Sequence, residues 1–356
     1  MASPPVYLSR MPTCIYCQRT EPPCEFTREH VIPEALGKFQ GDVVTLTQEV
    51  CSECNQWFGD HIDRVFARDS AEAVLRFKYG LKDPAGVTKM FADHVTVRLP
   101  NDGSQWGGVV LKFVAPPKGQ EVPSAEPVTP QVGFERNDRA WDYFTEDEIP
   151  PPEELARRFA NAYTGRVATF TESEADENRL RQVIGQATGA QEKRVQRLEV
   201  FPPFQRDSVR TEVNAHFDKV LAQEVAKIAF NYLAKVQGAD FVLRPEFDAA
   251  RQFVRYDYGQ PGDFVNVHPG PISRDGSGRT QLARGHLMTV GWDAGGTEVL
   301  VRVCPFQHIT YLVRLCANFG GVWRPIEFAH LYDLEAKCSE RLAAAIRIHV
   351  PGFSLA

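Results

Sequence analysis

Two cysteine pairs, CIYC at residues 14–17 and CSEC at residues 51–54, constrain this chain more than any other feature. Each C-x-x-C turn brings two thiols to one side of a tight knuckle, and in a reducing compartment such spacing favours a metal site over disulfides. Four thiolates from two knuckles meet the tetrahedral, soft-ligand preference of Zn²⁺. Cys14, Cys17, Cys51 and Cys54 are therefore expected to hold one structural zinc, and a unit this small depends on the metal for its folding. Cys24 is read as a spare small residue, because four ligands already complete the shell. Cys304, Cys316 and Cys338 lie in apolar surroundings far downstream and are expected in a core.

Between the pairs, CEFTREHVI and GDVVTLTQEV read as two short strands. CSECNQWFGDHIDRVFA then reads as a helix, with Trp57, Phe58, Ile62, Val65 and Phe66 recurring at helical spacing on one side. Glu29 and His30 end the first strand, and Asn55 falls in the first turn of the helix.

Taken together, C-x-x-C, EHVIPEALG, CSECN and FGDHID resemble the zinc-clipped branch of the HNH endonucleases, over roughly residues 12–68. The resemblance implies a ββα-metal fold, DNA as substrate, and His30 as general base toward a water. It also implies Glu29 and Asn55 as ligands of one catalytic Mg²⁺ or Mn²⁺ that stabilises the departing 3′ oxygen. An imidazole suits this base role because it is largely neutral at physiological pH. The zinc clip would hold strand and helix at a fixed separation. Two departures stand out. Glu29 replaces the family's usual Asp, and the loop LGKFQGDVVTLTQEV contains no Asn to match the family's central one. The steadying role of that Asn has to pass to a backbone carbonyl or another side chain. His61, six residues beyond Asn55, is read as a solvent-facing helix residue, and Asp63 as a helix-surface or structural contact.

The remainder reads as α+β: an N-terminal zinc-stabilised ββα-metal domain followed by a mixed helical and antiparallel-sheet region. The sequence divides into residues 1–70, the nuclease domain; 71–152, connecting strands, a helix and a Pro-rich linker over 116–152; and 153–356, a recognition or assembly domain. AEAVLRFKYG, PPPEELARRFANAY and RPEFDAARQFVRY read as helices, and HVTVRL and GVVLKFV as strands. SVRTEVNAHFDKVLAQEVAKIAFNYLAKV has the strongest helical pattern, stopped by Gly238. HLMTVGWDAGGTEVLVRVCPF and ITYLVRLC predict a sheet of about four strands, closed by a final helix at LYDLEAKCSERLAAAI. With no long apolar run and no signal-peptide core, the expected location is the cytoplasm, away from membranes.

Charge limits how such a protein would reach DNA. The chain carries a net −6, and residues 1–68 hold six Arg or Lys against nine Asp or Glu. Residues 179–210 hold seven basic residues against three acidic ones, which makes Lys193, Arg194 and Arg197 the candidate phosphate contacts. The expected activity is that of a divalent-metal-dependent endonuclease or nickase, by analogy a phage-defence or restriction effector. One such site cuts one strand, so a double-strand cut needs a homodimer or a partner protein. The alternatives are a zinc-stabilised binding or assembly module without catalysis, and a nuclease active only with a partner. Replacing Lys193, Arg194 and Arg197 with Ala should weaken DNA binding and flatten its salt dependence by about 0.9 in log–log slope for each phosphate no longer neutralised. Filter binding across salt concentrations reads this, and an unchanged slope would exclude these residues.

Overall fold

The computed structural model describes residues 11–20, 24–82, 95–114, 124–188, 212–271, 284–292, 296–320 and 328–342. Near the N-terminus, strands β1 (Glu29–His30) and β2 (Thr45–Leu46) pair antiparallel, with Glu29 opposite Leu46 and His30 opposite Thr45. The expected strands are thus short, and the chain is tied by single links instead. Phe26 bridges Cys51, Ile15 N–H donates to the Glu49 carbonyl at 2.8 Å, and Thr27 N–H donates to the Val50 carbonyl at 3.2 Å. The expected helix is present as α1 (Ser52–Phe58), a π-helical turn (Gly59–Asp63) and α2 (Arg64–Arg68). Phe58, Ile62 and Phe66 are buried at four-residue spacing. Helix α3 (Ala71–Lys78) follows.

The middle of the chain is largely sheet. Strands β3 (Val95–Arg98), β4 (Val110–Val114), β5 (Ser124–Pro127) and β9 (Glu212–Ala215) form a sheet in the order β5-β4-β3-β9. Strands β6 (Gln131–Arg136), β7 (Trp141–Thr145) and β8 (Tyr163–Phe170) form a second, in the order β7-β6-β8. The buried Gln131 side chain links β6 to β4: its Oε1 accepts from Val110 N–H at 2.8 Å and its Nε2 donates to the Val110 carbonyl at 3.0 Å. Helices α4 (Pro152–Asn161) and α5 (Glu174–Thr188) bury Leu155 and Leu180 with Val132 and Phe134. The stretch 116–152, read as a Pro-rich linker, therefore contains three strands. Alternating buried Val132 and Phe134, then Trp141 and Tyr143, carry the strand signal there, and the flanking prolines obscured it.

The long helix is α6 (Lys219–Gln237), and it begins later than its apolar pattern suggested. Asp218 caps it by accepting from Leu221 N–H at 3.0 Å, and β9 occupies part of the stretch expected to be helical. Gly238, at φ 90°, ends it as expected. Short α7 (Ala239–Val242), α8 (Asp248–Tyr256) and α9 (Pro261–Phe264) follow. Strands β10 (Val265–Pro269), β11 (Gly285–Trp292), β12 (Val299–Cys304), β13 (Ile309–Cys316), β14 (Phe328–Asp333) and β15 (Cys338–Leu342) form an antiparallel sheet in the order β10-β13-β12-β11-β14-β15. This is six strands where about four were expected, and the last two, with the turn between them, stand at residues 331–342 of the predicted final helix. Asp333 Oδ1 accepts from the amides of Glu335 and Ala336 at 2.7 and 2.8 Å, which turns the chain back on itself. Residues 343–346 of that prediction lie outside the described residues.

The chain divides into two compact units: residues 1–67, 72–81 and 217–356 in one, and 68–71 and 82–216 in the other. This grouping cuts across the consecutive division at residues 70 and 152, because the ββα segment shares a core with α6 and the six-stranded sheet. Tyr16, Val31, Leu46, Phe58 and Ile62 belong to one buried cluster with Val225, Ile228, Phe230 and Leu233 of α6 and with Val301 and Val313 of the sheet. Every residue of α6 from Leu221 to Ala234 is buried. Four of these, Gln223, Glu224, Lys227 and Asn231, are polar, and each must find a partner inside the unit.

Candidate metal centre and active site

The four paired cysteines converge. One ligand sulfur from each of Cys14, Cys17, Cys51 and Cys54 lies within 4.8 Å of the others. Cys17 Sγ is 3.6 Å from Cys51 Sγ, and Cys51 N–H donates to Cys14 Sγ at 3.5 Å. Tetrahedral Zn–S bonds of about 2.3 Å place sulfurs about 3.8 Å apart, so the cluster has the dimensions of such a site. Its protonation points the same way. Cys14 is lowered to about 5, chiefly by a hydrogen bond from Cys54, whereas burial pushes Cys17 up to about 12. Cys54 is raised by its contact with Cys14 and by burial. Four thiols packed together without a cation cannot all ionise, and a divalent ion removes that conflict. The cluster can hold a structural metal ion such as zinc. Cys24 is outside it, and burial pushes its thiol up to about 11. Cys304 and Cys316 are buried as expected, and Cys338 is half-buried.

From this clip the chain runs into β1, whose alternation turns two neighbouring side chains to different surroundings. Glu29 is 4% exposed, and its Oε1 lies 3.1 Å from Lys227 Nζ and accepts from Asn231 Nδ2 at 3.0 Å. Burial raises the Glu29 carboxyl, with Lys227 opposing the shift. Lys227 also pairs with Asp63 of the π-helical turn and lies 3.4 Å from Glu224 Oε1. Burial pulls the lysine down, but the surrounding carboxylates outweigh it and hold it well above its ordinary value, fully charged. Lys227 likewise outweighs the burial of Asp63 and lowers it. Glu224 is raised well above its ordinary value by complete burial, and its contact with Lys227 lacks hydrogen-bond geometry.

His30 is half-buried, with Nε2 3.2 Å from Oε1 of Glu34 in the turn that follows β1. Burial lowers its pKa, with Glu34 opposing, so the imidazole is neutral at physiological pH. Asn55 ties the start of α1 to the chain before β1: its Nδ2 donates to Thr27 Oγ1 at 2.9 Å and to the Arg28 carbonyl at 3.1 Å. Among the described residues neither Glu29 Oε2 nor Asn55 Oδ1 has a hydrogen-bond partner. A carboxylate oxygen and an amide oxygen are donors that suit a hard divalent cation.

The other sequence candidates sort clearly. His61 is exposed and stacks on Trp57 at 4.8 Å, and Asp63 makes the structural contact expected of it. Lys193, Arg194 and Arg197 lie outside the described residues. Arg179 and Arg181 on α5 pair with Asp176, Glu146 and Glu177. Sequence reasoning missed Lys227 and Asn231, although charged and amide residues at 224, 227 and 231, repeating on one face of an otherwise apolar helix, were a visible signal.

A family model described as HNH endonuclease matches residues 14–70. No curated protein and no solved structure matches the chain. Elemental analysis of purified protein is expected to find about one tightly held metal ion per chain, and Cys51→Ser should lose it together with much of the folding stability. Full metal retention in Cys51→Ser would rule out this ligand set.

Proposed function

We propose that the protein is a divalent-metal-dependent HNH endonuclease or nickase that hydrolyses DNA phosphodiester bonds. The observation that carries this reading is the coincidence of the family match at residues 14–70 with a half-buried His30 whose pKa burial lowers, in a segment that also carries two ligand oxygens without a hydrogen-bond partner among the described residues, Glu29 Oε2 and Asn55 Oδ1. Cys14, Cys17, Cys51 and Cys54 would hold a structural zinc, and their sulfurs would link the knuckle before β1 to the start of α1.

In the chemistry that follows, His30 removes a proton from the attacking water. Glu34, 3.2 Å from Nε2, favours the tautomer with its proton there and leaves Nδ1 as the basic nitrogen. Glu29 and Asn55 would bind a Mg²⁺ or Mn²⁺ ion, which when bound supplies stabilisation of the charge that develops on the phosphate and the leaving 3′ oxygen. Lys193, Arg194 and Arg197 are proposed to contact the DNA backbone, offsetting the acidic balance of residues 1–68. A second reading, a zinc-stabilised module without catalysis or a nuclease switched on by a partner, is favoured by the near-complete burial of Glu29.

Plasmid nicking in Mg²⁺ or Mn²⁺ distinguishes the two. His30→Ala should reduce cleavage by about 10²–10⁴-fold while folding and cysteine-bound metal stay unchanged. Cleavage by His30→Ala at the wild-type rate would make His30 structural and this mechanism wrong.

A further inference from the structure

We propose that Asn231 of α6 is a positioning residue for the Glu29–His30 pair, acting from about two hundred residues downstream. Its side chain is completely buried and makes three directed bonds. Nδ2 donates to Glu29 Oε1 at 3.0 Å and to the main-chain carbonyl of His30 at 3.2 Å, and Oδ1 accepts from the Tyr16 hydroxyl at 2.7 Å. The amide can face only one way, because a carboxylate and a carbonyl both require a donor. Tyr16 lies between Cys14 and Cys17, so the cysteine knuckle orients Asn231, which in turn orients β1.

Such outside support is needed because β1 is two residues long and pairs with β2 at only two positions. A ladder this short cannot hold a peptide plane accurately on its own. The loop that joins the two strands carries no Asn to serve instead. By fixing the His30 carbonyl, Asn231 sets the direction in which the imidazole leaves the strand. Holding Oε1 also decides which Glu29 oxygen is left without a hydrogen-bond partner, a choice that the broad terminal torsion of Glu leaves open. Lys227, one turn earlier on α6, reaches the same Oε1 at 3.1 Å, so both α6 contacts leave Oε2 unengaged.

The inference rests on the nuclease reading, but its test does not depend on cleavage alone. Wild type, Asn231→Leu and Tyr16→Phe are compared for Mn²⁺ affinity by electron paramagnetic resonance and for the Mn²⁺ dependence of plasmid nicking. Melting curves and cysteine-bound metal content identify folded protein. Folded Asn231→Leu should bind Mn²⁺ about 10–100-fold more weakly and need correspondingly more Mn²⁺ to nick. Tyr16→Phe, which keeps both Asn231 donors and loses the hydroxyl that donates to Asn231 Oδ1 at 2.7 Å and to the Lys227 carbonyl at 3.4 Å, should show a smaller shift in the same direction. Folded Asn231→Leu with wild-type Mn²⁺ affinity overturns the proposal. If that variant fails to fold, Tyr16→Phe with unchanged affinity does so. A wild type that binds Mn²⁺ without nicking refutes the nuclease reading and leaves the affinity comparison decisive. A wild type that binds no Mn²⁺ refutes both.

Discussion

The ammonium of Lys227, buried among Glu29, Asp63 and Glu224, is the interaction on which the rest of this unit depends. A charged group is not placed in a dry core without compensation. Lys227 has three carboxyl partners from three elements, β1, the π-helical turn and α6 itself, and its Nζ also lies 5.5 Å from the centre of the Phe58 ring. Removing Lys227 would cost about 3–5 kcal/mol, because the buried carboxyl groups around it would lose the cation they face. What the cluster secures is register. Apolar contacts alone would let the ββα segment slide over α6, whereas Lys227 and Asn231 accept only one alignment of β1.

Two constraints on the N-terminal segment follow from separate sources. The four cysteines bring the knuckle at residues 14–17 against the start of α1, where they can hold a metal ion. The polar face of α6 holds β1 from behind, and Tyr16 connects the two by donating to Asn231. His30 is left on the partly open side, near Glu34, with its imidazole neutral. The segment matched as HNH endonuclease is therefore not self-contained in its packing. Its hydrophobic residues and its carboxylate at position 29 are completed by a helix that starts at residue 219.

Much of this was legible in the sequence, and the rest fails for identifiable reasons. The C-x-x-C pairs, the Glu29-His30 dipeptide and the helix from Ser52 are local patterns, and local patterns survive into the fold. The partners of Glu29 are not local: Lys227 and Asn231 lie about two hundred residues away, and no spacing rule links them to β1. Strands β6 and β7 were hidden by neighbouring prolines, although Val132, Phe134, Trp141 and Tyr143 alternate as strand residues do. The final hairpin was misread because Leu331, Leu334 and Cys338 also fit helical spacing, and the turn depends on one side chain, that of Asp333.

The most direct measurement is plasmid nicking by the full-length protein after a chelator has removed loosely held divalent ions but left the cysteine-bound metal in place. Cleavage should be absent in the chelator and should return as single-strand cuts when Mg²⁺ or Mn²⁺ is added back. Cleavage that persists in the chelator, or no cleavage of DNA with either ion while the cysteine-bound metal is intact, would contradict a metal-dependent nuclease held in place by α6.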